Sequence, residues 1–236
     1  MAWHDRGTYW ELDAPQLSPV WEAARYGRVR GSDVLSICKG GYDVQKALGE
    51  PRLNVDVTAP GIVNEPKARE WQRAHLPPGY VLRSASFCVP KLTAPQFAWV
   101  KPEDVLGLLH IGCSPDDFIV SAQGQPFKIA EYKCPKEMYQ YLRIERHRID
   151  KRHWSQIQFN LGVVMSGLRV IPACSYVVWT EDDVHQEDVI FNEQHFRNTM
   201  NSVLPVIRHR IMPNVDLAKF MLPDEIKDFY LKAVRH

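Results

Sequence analysis

Along most of the chain, apolar residues recur at helical or strand-like spacing and are separated by stretches that contain glycine or proline. Several segments with helical spacing follow a residue that can cap a helix. Ser18, Ser32 and Asn192 are candidate caps, and Asn64 or Glu65 is the candidate for a further helix. Helices are therefore predicted over residues 18–27, 32–40, from 64–71 onward, 154–165, 192–208 and 223–234.

Shorter apolar runs predict the strands. Phe118-Ile119-Val120 and the run 127–132 flank a Gln-Gly-Gln-Pro turn at 123–126, an arrangement typical of a β-hairpin. Further strands are predicted at 80–90, 169–180 and 188–191. Residues 1–20 show little periodicity and are expected to form an N-terminal arm packed on the domain, and 95–105 a loop. Since no repeat or linker divides the chain, residues 1–236 are interpreted as one α/β domain.

The predicted hairpin carries a group of charged residues suited to catalysis. Glu131 and Lys133 lie two apart on a strand and share a face, whereas Tyr132 points to the other side. An aspartate at the start of the first strand, either Asp116 or Asp117, is expected beside Glu131. Two adjacent carboxylates repel unless they share a cation, and their oxygens suit Mg²⁺ or Mn²⁺. With a lysine to orient or deprotonate a water, the set fits phosphodiester hydrolysis. The alternative is chance, because so loose a triplet occurs in many chains.

Composition adds few constraints. Apolar residues make up 45% of the chain and charged residues 24%, as in ordinary globular proteins. No apolar run approaches 18 residues, which argues against a membrane span, and the N-terminus lacks the features of a signal peptide. An intracellular protein is therefore expected. The five cysteines form no Cys-x-x-Cys pair and are expected to be buried and reduced, not bound to zinc.

The formal net charge is only +1, so a nucleic-acid partner needs a local basic face. One candidate is the run at 143–153, and its alternative is a solvated helix face. A second candidate is the glycine-bounded turn near Ser32, where arginines precede a helix N-terminus that can bind an anion. Its alternative is an ordinary capped helix. The basic residues are Arg143, Arg146, Arg148, Lys151 and Arg152 in the run, and Arg25, Arg28 and Arg30 at the turn.

Two further features have both a structural and a functional interpretation. Gln156 and Asn160 lie four apart and share a helix face, from which they can reach DNA or a catalytic water, although most such pairs are simply exposed. Glu65 suits the first turn of a helix for electrostatic reasons alone, and it is also a candidate third carboxylate.

These residues belong to short blocks that occur in a recognisable order. Together they resemble the phage lambda exonuclease/YqaJ-like family of alkaline exonucleases, within the PD-(D/E)xK nuclease superfamily. The resemblance covers about residues 18–208 and leaves out the arm at 1–17 and the helix within 211–236. This chain differs from the family pattern at Asp117, where the family has glycine, and at His153, where it has tyrosine. The blocks are Trp21-x-x-x-Arg25-x-Gly27-Arg28-Val29-x-Gly31-Ser32-Asp33-Val34, Glu65-x-x-Ala68-Arg69, Ser114-Pro115-Asp116, Glu131-Tyr132-Lys133-Cys134-Pro135 and Gln156-x-Gln158.

The resemblance implies a restriction-endonuclease-like core, with a central mixed β-sheet flanked by helices, and assigns roles to the site residues. Asp116, Glu131 and the Tyr132 carbonyl would hold the tighter of two metal ions, and Glu65 would help to hold the second. Lys133, assisted by Gln156, would position and activate the attacking water. The remaining residues would contact DNA: Arg25, Ser32 and Ser114 as a pocket for the terminal 5′-phosphate, with Arg28, Arg143, Arg146 and Arg152 as further DNA contacts.

The activity implied is Mg²⁺-dependent hydrolysis of linear double-stranded DNA from 5′ to 3′, with Mn²⁺ as a substitute. It leaves 3′ single-stranded overhangs for recombination. A single-strand annealing protein is the partner implied, and either a ring-shaped homotrimer or a monomer is compatible. Two rival hypotheses remain: an endonuclease of the same superfamily acting on DNA or RNA, and a catalytically inactive DNA-binding relative.

Overall fold

The computed structural model describes residues 2–49, 55–136, 142–143, 148–165, 167–168, 170 and 172–234. The side chains of 55–60, 62, 142, 143 and 148 lie outside this description. The strands are β1 Trp3–Asp5, β2 Tyr9–Leu12, β3 Val29–Arg30, β4 Tyr80–Ser84, β5 Cys88–Pro90, β6 Ile111–Gly112, β7 Asp117–Ser121, β8 Pro126–Lys133, β9 Leu142–Arg143, β10 Arg148–Ile149, β11 Ala173–Trp179 and β12 Val184–Ile190. The α-helices are α1 Pro19–Ala24, α2 Val34–Cys38, α3 Gln45–Leu48, α4 Val55–Ala74, α5 Lys151–Val164, α6 Glu193–Val206 and α7 Asp224–Ala233.

Five strands form a central sheet in the order β12-β11-β8-β7-β4. The pair β8–β11 is parallel, and the other three pairs are antiparallel. A parallel pair needs a long crossover, and here the connection contains α5. The predicted hairpin is present as β7 and β8, and Gly124 supplies the positive φ of 78° in its turn. The predicted α/β fold with a central mixed sheet is therefore confirmed.

Helices cover both faces of this sheet, which explains why its inner strands are apolar at successive positions. On one face α4 packs through Ala68 against Ile119, Ala130 and Val177. On the other face α5 and α6 pack against a larger core. Its buried members include Phe118, Ile129, Cys174, Tyr176 and Val178 from the sheet, and Ile157, Leu161, Val164, Phe196 and Met200 from the helices.

Helix caps were predicted with mixed success. Ser18 accepts a hydrogen bond from the Trp21 amide (3.2 Å), and Asn192 accepts one from the His195 amide (2.8 Å), as predicted. Ser32 does not cap α2, because it lies within a 3₁₀ turn at 31–33. Asp33 closes that turn by accepting from the Arg30 amide at 3.1 Å.

The third predicted helix begins earlier than its sequence indicates. Asn64 and Glu65 lie in the interior of α4, which already begins at Val55. Pro66 therefore removes a hydrogen bond from the helix interior. We attribute the continuity of the helix to its packing, since Ala68 and Gln72 are almost completely buried.

Other predictions were wrong because contacts distant in sequence decided the outcome. The N-terminal arm packs on the domain as predicted but forms regular structure, because β2 pairs with β1 on one side and with β5 on the other. The predicted strand at 80–90 is two strands, β4 and β5, in different sheets. Residues 95–105, predicted as a loop, include the 3₁₀ segment Pro95–Phe97 and the start of a nine-residue 3₁₀ segment, Pro102–His110. Four cysteines are buried as predicted, whereas Cys38 is exposed, and all five are free. Among the helices that the structure describes, none is long and apolar enough to cross a membrane.

Candidate active site

The register of the hairpin separates the two candidate aspartates. Asp117 pairs with Ala130, so Asp116 lies opposite Glu131, and directly opposed residues of antiparallel strands share a face. Asp116 Oδ2 also accepts a hydrogen bond from the Tyr132 amide at 2.6 Å. The geometry therefore favours Asp116 as the residue that acts with Glu131.

Asp117 points to the opposite face of the sheet and has no exposed surface. Its Oδ1 forms an ion pair with the Arg69 guanidinium, and its Oδ2 accepts from the Tyr132 hydroxyl at 3.0 Å. Burial raises the pKa of Asp117 to about 6, although the charge of Arg69 opposes the increase. Both carboxylate oxygens are occupied by side chains of the protein, so this residue has a structural role in the observed arrangement.

Glu131 is the centre of a network of donors. Its side chain is 1% exposed. Lys133 Nζ and Gln156 Nε2 both lie 3.2 Å from Oε2, and Asn160 Nδ2 donates to Oε1 at 2.6 Å. The two amides come from one face of α5, as their spacing predicted. Asn160 was not among the residues to which the family resemblance assigned a role, although its spacing from Gln156 pointed to it.

The carboxylates of this cluster oppose one another's ionisation. Burial, together with the charge of Asp116, raises the pKa of Glu131 to about 7. The same two causes raise the pKa of the half-buried Glu65 to about 7, so Glu65 interacts electrostatically with Asp116. Burial also raises the pKa of Asp116. For Lys133, burial lowers the pKa, but the charges of Glu131 and Asp116 outweigh it and the pKa rises.

The carboxylate oxygens of this cluster are suitable ligands for a hard divalent cation such as Mg²⁺. A shared cation would offset the repulsion by Asp116 that raises the pKa values of Glu131 and Glu65. Within the described ranges, no three His, Cys, Asp or Glu side chains lie close enough to hold a metal ion together. Mg²⁺ does not require three, because it is usually bound by one or two carboxylates, with water and substrate phosphates completing its shell.

A cavity adjoins this network. It is lined by the predicted phosphate-pocket residues Arg25, Ser32 and Ser114, together with Gln156 and Asn160 of the Glu131 network. Gln156 and Asn160 both contact the Glu131 carboxylate and line the cavity. The residues predicted to hold metal therefore lie next to the residues predicted to bind the 5′-phosphate. The other lining residues are Gln16, Trp21, Arg30, Gly31 and Phe87.

The walls of the cavity are held by side chains to which sequence reasoning gave no role. Trp21 Nε1 donates to Ser114 Oγ at 3.0 Å, and the Arg25 guanidinium lies 4.2 Å from the centre of the Trp21 ring. Arg25 is also paired with Glu22 at 2.7 Å. Gly31 allows α5 to approach, because a Cβ at this position would lie 2.5 Å from Asn160 Oδ1.

Arg28, predicted to contact DNA, is fully buried. Its guanidinium donates to the carbonyls of Ala24, Leu109 and Met221 at 2.6, 3.0 and 2.5 Å. Burial lowers its pKa to about 9. An arginine whose donors are committed to three interior carbonyls is not available to phosphate, so the structure contradicts this part of the prediction.

We expect Arg28→Met to lower the free energy of unfolding by about 3–5 kcal/mol, because three buried carbonyls would lose their donors. Urea denaturation followed by circular dichroism would measure the change. Arg73→Met, on the exposed surface of α4, is the matched control and should change stability by less than about 0.5 kcal/mol. A folded Arg28→Met protein of unchanged stability that no longer binds DNA would instead restore the original prediction.

The remaining basic candidates are described only in part. Arg146 lies outside the described residues, as does the side chain of Arg143. Arg152 is exposed near the start of α5, where it pairs with Asp150 at 3.0 Å. His153, where the family has tyrosine, lies 2.7 Å from the Tyr176 hydroxyl through Nδ1, and burial lowers its pKa to about 3.

The central mixed sheet with helices on both faces defines an α/β fold, and a buried charged cluster lies at the open end of its central hairpin. Among solved structures, the chain is similar to an alkaline exonuclease, LHK-Exo, from Laribacter hongkongensis, with a TM-score of 0.59 and 16% sequence identity. The match covers 92% of this chain and 99% of that one. LHK-Exo in complex with dAMP matches with the same identity and coverage and a TM-score of 0.61. No family model and no curated protein matches the sequence. The chain thus has the fold of an alkaline exonuclease, as the resemblance predicted.

Proposed function

We propose that this protein is a metal-dependent 5′-to-3′ exonuclease that digests linear double-stranded DNA and leaves 3′ overhangs for recombination. One observation carries the proposal: Gln156 and Asn160 contact Glu131 and also line the cavity formed by Arg25, Ser32 and Ser114. A hydrolytic centre beside an anion pocket is the arrangement that cleavage near a phosphorylated end requires. The shared fold with an alkaline exonuclease supports it.

In this proposal Asp116, Glu131 and the Tyr132 carbonyl hold the first Mg²⁺, and Glu65 helps to hold a second. Bound there, the ions would polarise the scissile phosphate and lower the pKa of the attacking water. Lys133, held by Glu131, keeps a positive charge at the position of the water and the phosphate. Gln156 orients the water through its amide, and Arg25 binds the terminal phosphate.

Several partners remain predictions from the resemblance. DNA ends are the substrate in this proposal, and a single-strand annealing protein would receive the 3′ overhang that the enzyme leaves. A homotrimer would keep the enzyme on one DNA molecule through many cleavage events. Arg152 is retained as a DNA contact on the basis of its exposure, together with Arg143 and Arg146 from the sequence.

Linear duplex DNA labelled at either the 5′ or the 3′ end, with and without Mg²⁺, tests the proposal directly. We expect the 5′ label to be released first, only with Mg²⁺ or Mn²⁺, and faster from phosphorylated ends. Covalently closed plasmid, incubated in parallel, should remain intact. Cutting of the plasmid would favour an endonuclease, and a lack of hydrolysis despite DNA binding would favour an inactive relative.

The raised pKa values of the carboxylates predict how metal binding depends on pH. Glu131, with a folded-state pKa of about 7 against an ordinary 4.5, binds more protons in the native than in the unfolded state between those values. The free energy of unfolding therefore falls as pH rises through this window and Glu131 becomes ionised. A bound cation favours the ionised carboxylates, so protons compete with it.

We therefore expect saturating Mg²⁺ to raise Tm by roughly 5–10 °C at pH 8 and by little at pH 5.5. The metal-induced change is the quantity to compare, because the low pKa values of His110 and His153 reduce stability as pH falls below about 6.5. Differential scanning fluorimetry in matched buffers would measure it. An equal change in Tm at both pH values would contradict the assignment of the carboxylates.

A further inference from the structure

A second cavity adjoins the one lined by Arg25, Ser32 and Ser114, which we call the phosphate pocket. Its lining comes from three segments, which are residues 19–30 with α1, residues 46–49, and the C-terminal segment that carries Lys219. Its volume of about 530 Å³ lies in the range of cavities that enclose a drug-sized ligand, roughly 300–1,000 Å³. We call this cavity the α1 groove.

The α1 groove and the phosphate pocket share Arg25 and Arg30. Gln156 and Asn160, which also line the phosphate pocket, contact Glu131. The phosphate pocket therefore adjoins both the Glu131 network and the α1 groove. A DNA strand with one phosphate in the pocket and the next, towards its 3′ end, beside Glu131 would have its 5′ extension directed towards the α1 groove.

The lining of the α1 groove suits such a strand. Lys46 and Lys219 are exposed, and neither forms an ion pair with another described residue. Glu22 is the acidic residue in the lining, and it is paired with Arg25. The rest of the lining is mainly apolar and offers a surface on which unpaired bases can pack. The ammonium groups of Lys46 and Lys219 suit the phosphates of the same strand. The apolar and aromatic residues of the lining are Pro19, Ala23, Tyr26, Ala47 and Leu48.

Two hydrogen bonds fix the three segments relative to one another. The Gly27 amide donates to the Ala47 carbonyl at 2.7 Å, which ties the end of α1 to the segment 46–49. The Asp216 amide donates to the Tyr26 hydroxyl at 2.9 Å and so holds the C-terminal segment that carries Lys219. A groove already assembled in the free protein loses less entropy on binding.

From this geometry we propose that the α1 groove binds the unpaired nucleotides of a DNA end with a 5′ overhang. Their phosphates contact Lys46 and Lys219, and their bases lie against the apolar floor beside Tyr26. The proposal rests on the exonuclease function above and extends it, because a strand that passes through the phosphate pocket need not end there. The protein then accepts recessed 3′ ends as well as blunt ends.

Fluorescence anisotropy with labelled duplexes tests the groove, with Ca²⁺ in place of Mg²⁺ to separate binding from cleavage. We expect the wild-type protein to bind a duplex with a two-nucleotide 5′ overhang about fivefold more tightly than the blunt duplex, as two exposed charge contacts would provide. Lys46→Ala/Lys219→Ala should abolish this gain and leave blunt-end binding and hydrolysis unchanged. It should also reduce the salt dependence of overhang binding, by about 0.7 in the log–log slope for each phosphate that a lysine no longer neutralises.

Lys227→Ala/Lys232→Ala is the matched control, because it removes two exposed lysines of α7 that do not line the groove. This variant should retain the gain. An equal affinity of the wild-type protein for both duplexes would overturn the proposal, and so would a gain that survives in Lys46→Ala/Lys219→Ala. Failure to bind the blunt duplex at all would instead refute the exonuclease function, so the two failures are distinguishable.

Discussion

Replacing Lys133 with alanine is expected to slow DNA hydrolysis by about 10³-fold or more while leaving the protein folded. Lys133 supplies the ammonium beside Glu131 and Asp116, and the charges of these two carboxylates hold its pKa above the ordinary value. At neutral pH it is therefore a fixed positive charge in the free protein. Its removal eliminates the group proposed to position and activate the attacking water.

Release of acid-soluble nucleotides from linear duplex at saturating Mg²⁺ would measure this effect. Lys128→Ala is the matched control, because Lys128 lies on the same strand but pairs with Asp188 away from the cluster. The control should retain activity within about twofold, consistent with the small contribution of a surface ion pair. Hydrolysis by Lys133→Ala at the wild-type rate would show that another group activates the water.

The second large effect separates the two adjacent aspartates. Asp116→Asn should reduce the rate of hydrolysis by about 10³-fold, which is the size of effect seen when one transition-state interaction is removed. It should not lower the free energy of unfolding. It removes one of the repelling carboxylates, so the pKa values of Glu131 and Glu65 should fall towards the ordinary range. The affinity for Mn²⁺, measured by calorimetry, should fall in parallel with the rate of hydrolysis.

Asp117→Asn should instead lower the stability of the protein and leave the rate of hydrolysis nearly unchanged. It breaks the pair with Arg69, which is partly exposed, so we expect a loss of about 2 kcal/mol in the free energy of unfolding. Hydrolysis per folded molecule should remain near wild type at low temperature. If the folded Asp117→Asn protein were inactive and Asp116→Asn active, the assignment of the two residues would have to be exchanged.

Local sequence patterns were sufficient where a single period dominated. The hairpin at 117–133 was predicted because two apolar runs flank a glycine-containing turn, and α5 because its apolar residues recur at helical spacing. The same periods predicted that Glu131 shares a face with Lys133, and Gln156 with Asn160. In the structure Lys133, Gln156 and Asn160 all hydrogen-bond to Glu131 and form one cluster.

The failures of sequence reasoning have a common physical cause. Arg25 and Arg28 lie three residues apart in the same glycine-bounded turn and have the same local chemistry. Arg28 is buried because the C-terminal segment packs over it: Met221 supplies a carbonyl, and Phe220 lies 4.4 Å from its guanidinium. These partners are more than 190 positions away in the chain, and no local pattern indicates them.

The sequence by itself determined which residues are candidates for the chemistry: the acids and the lysine of the hairpin, the amides of α5 and the arginines of the turn near Ser32. It did so because strand and helix periods fix which neighbouring side chains share a face. Only the tertiary structure decided which of these groups meet. The strand register directs Asp116 to the face of Glu131 and Asp117 to Arg69, and the packing of α5 on Gly31 joins the cluster to the pocket of Arg25. Register and packing are set by contacts between distant segments, and local spacing does not encode them.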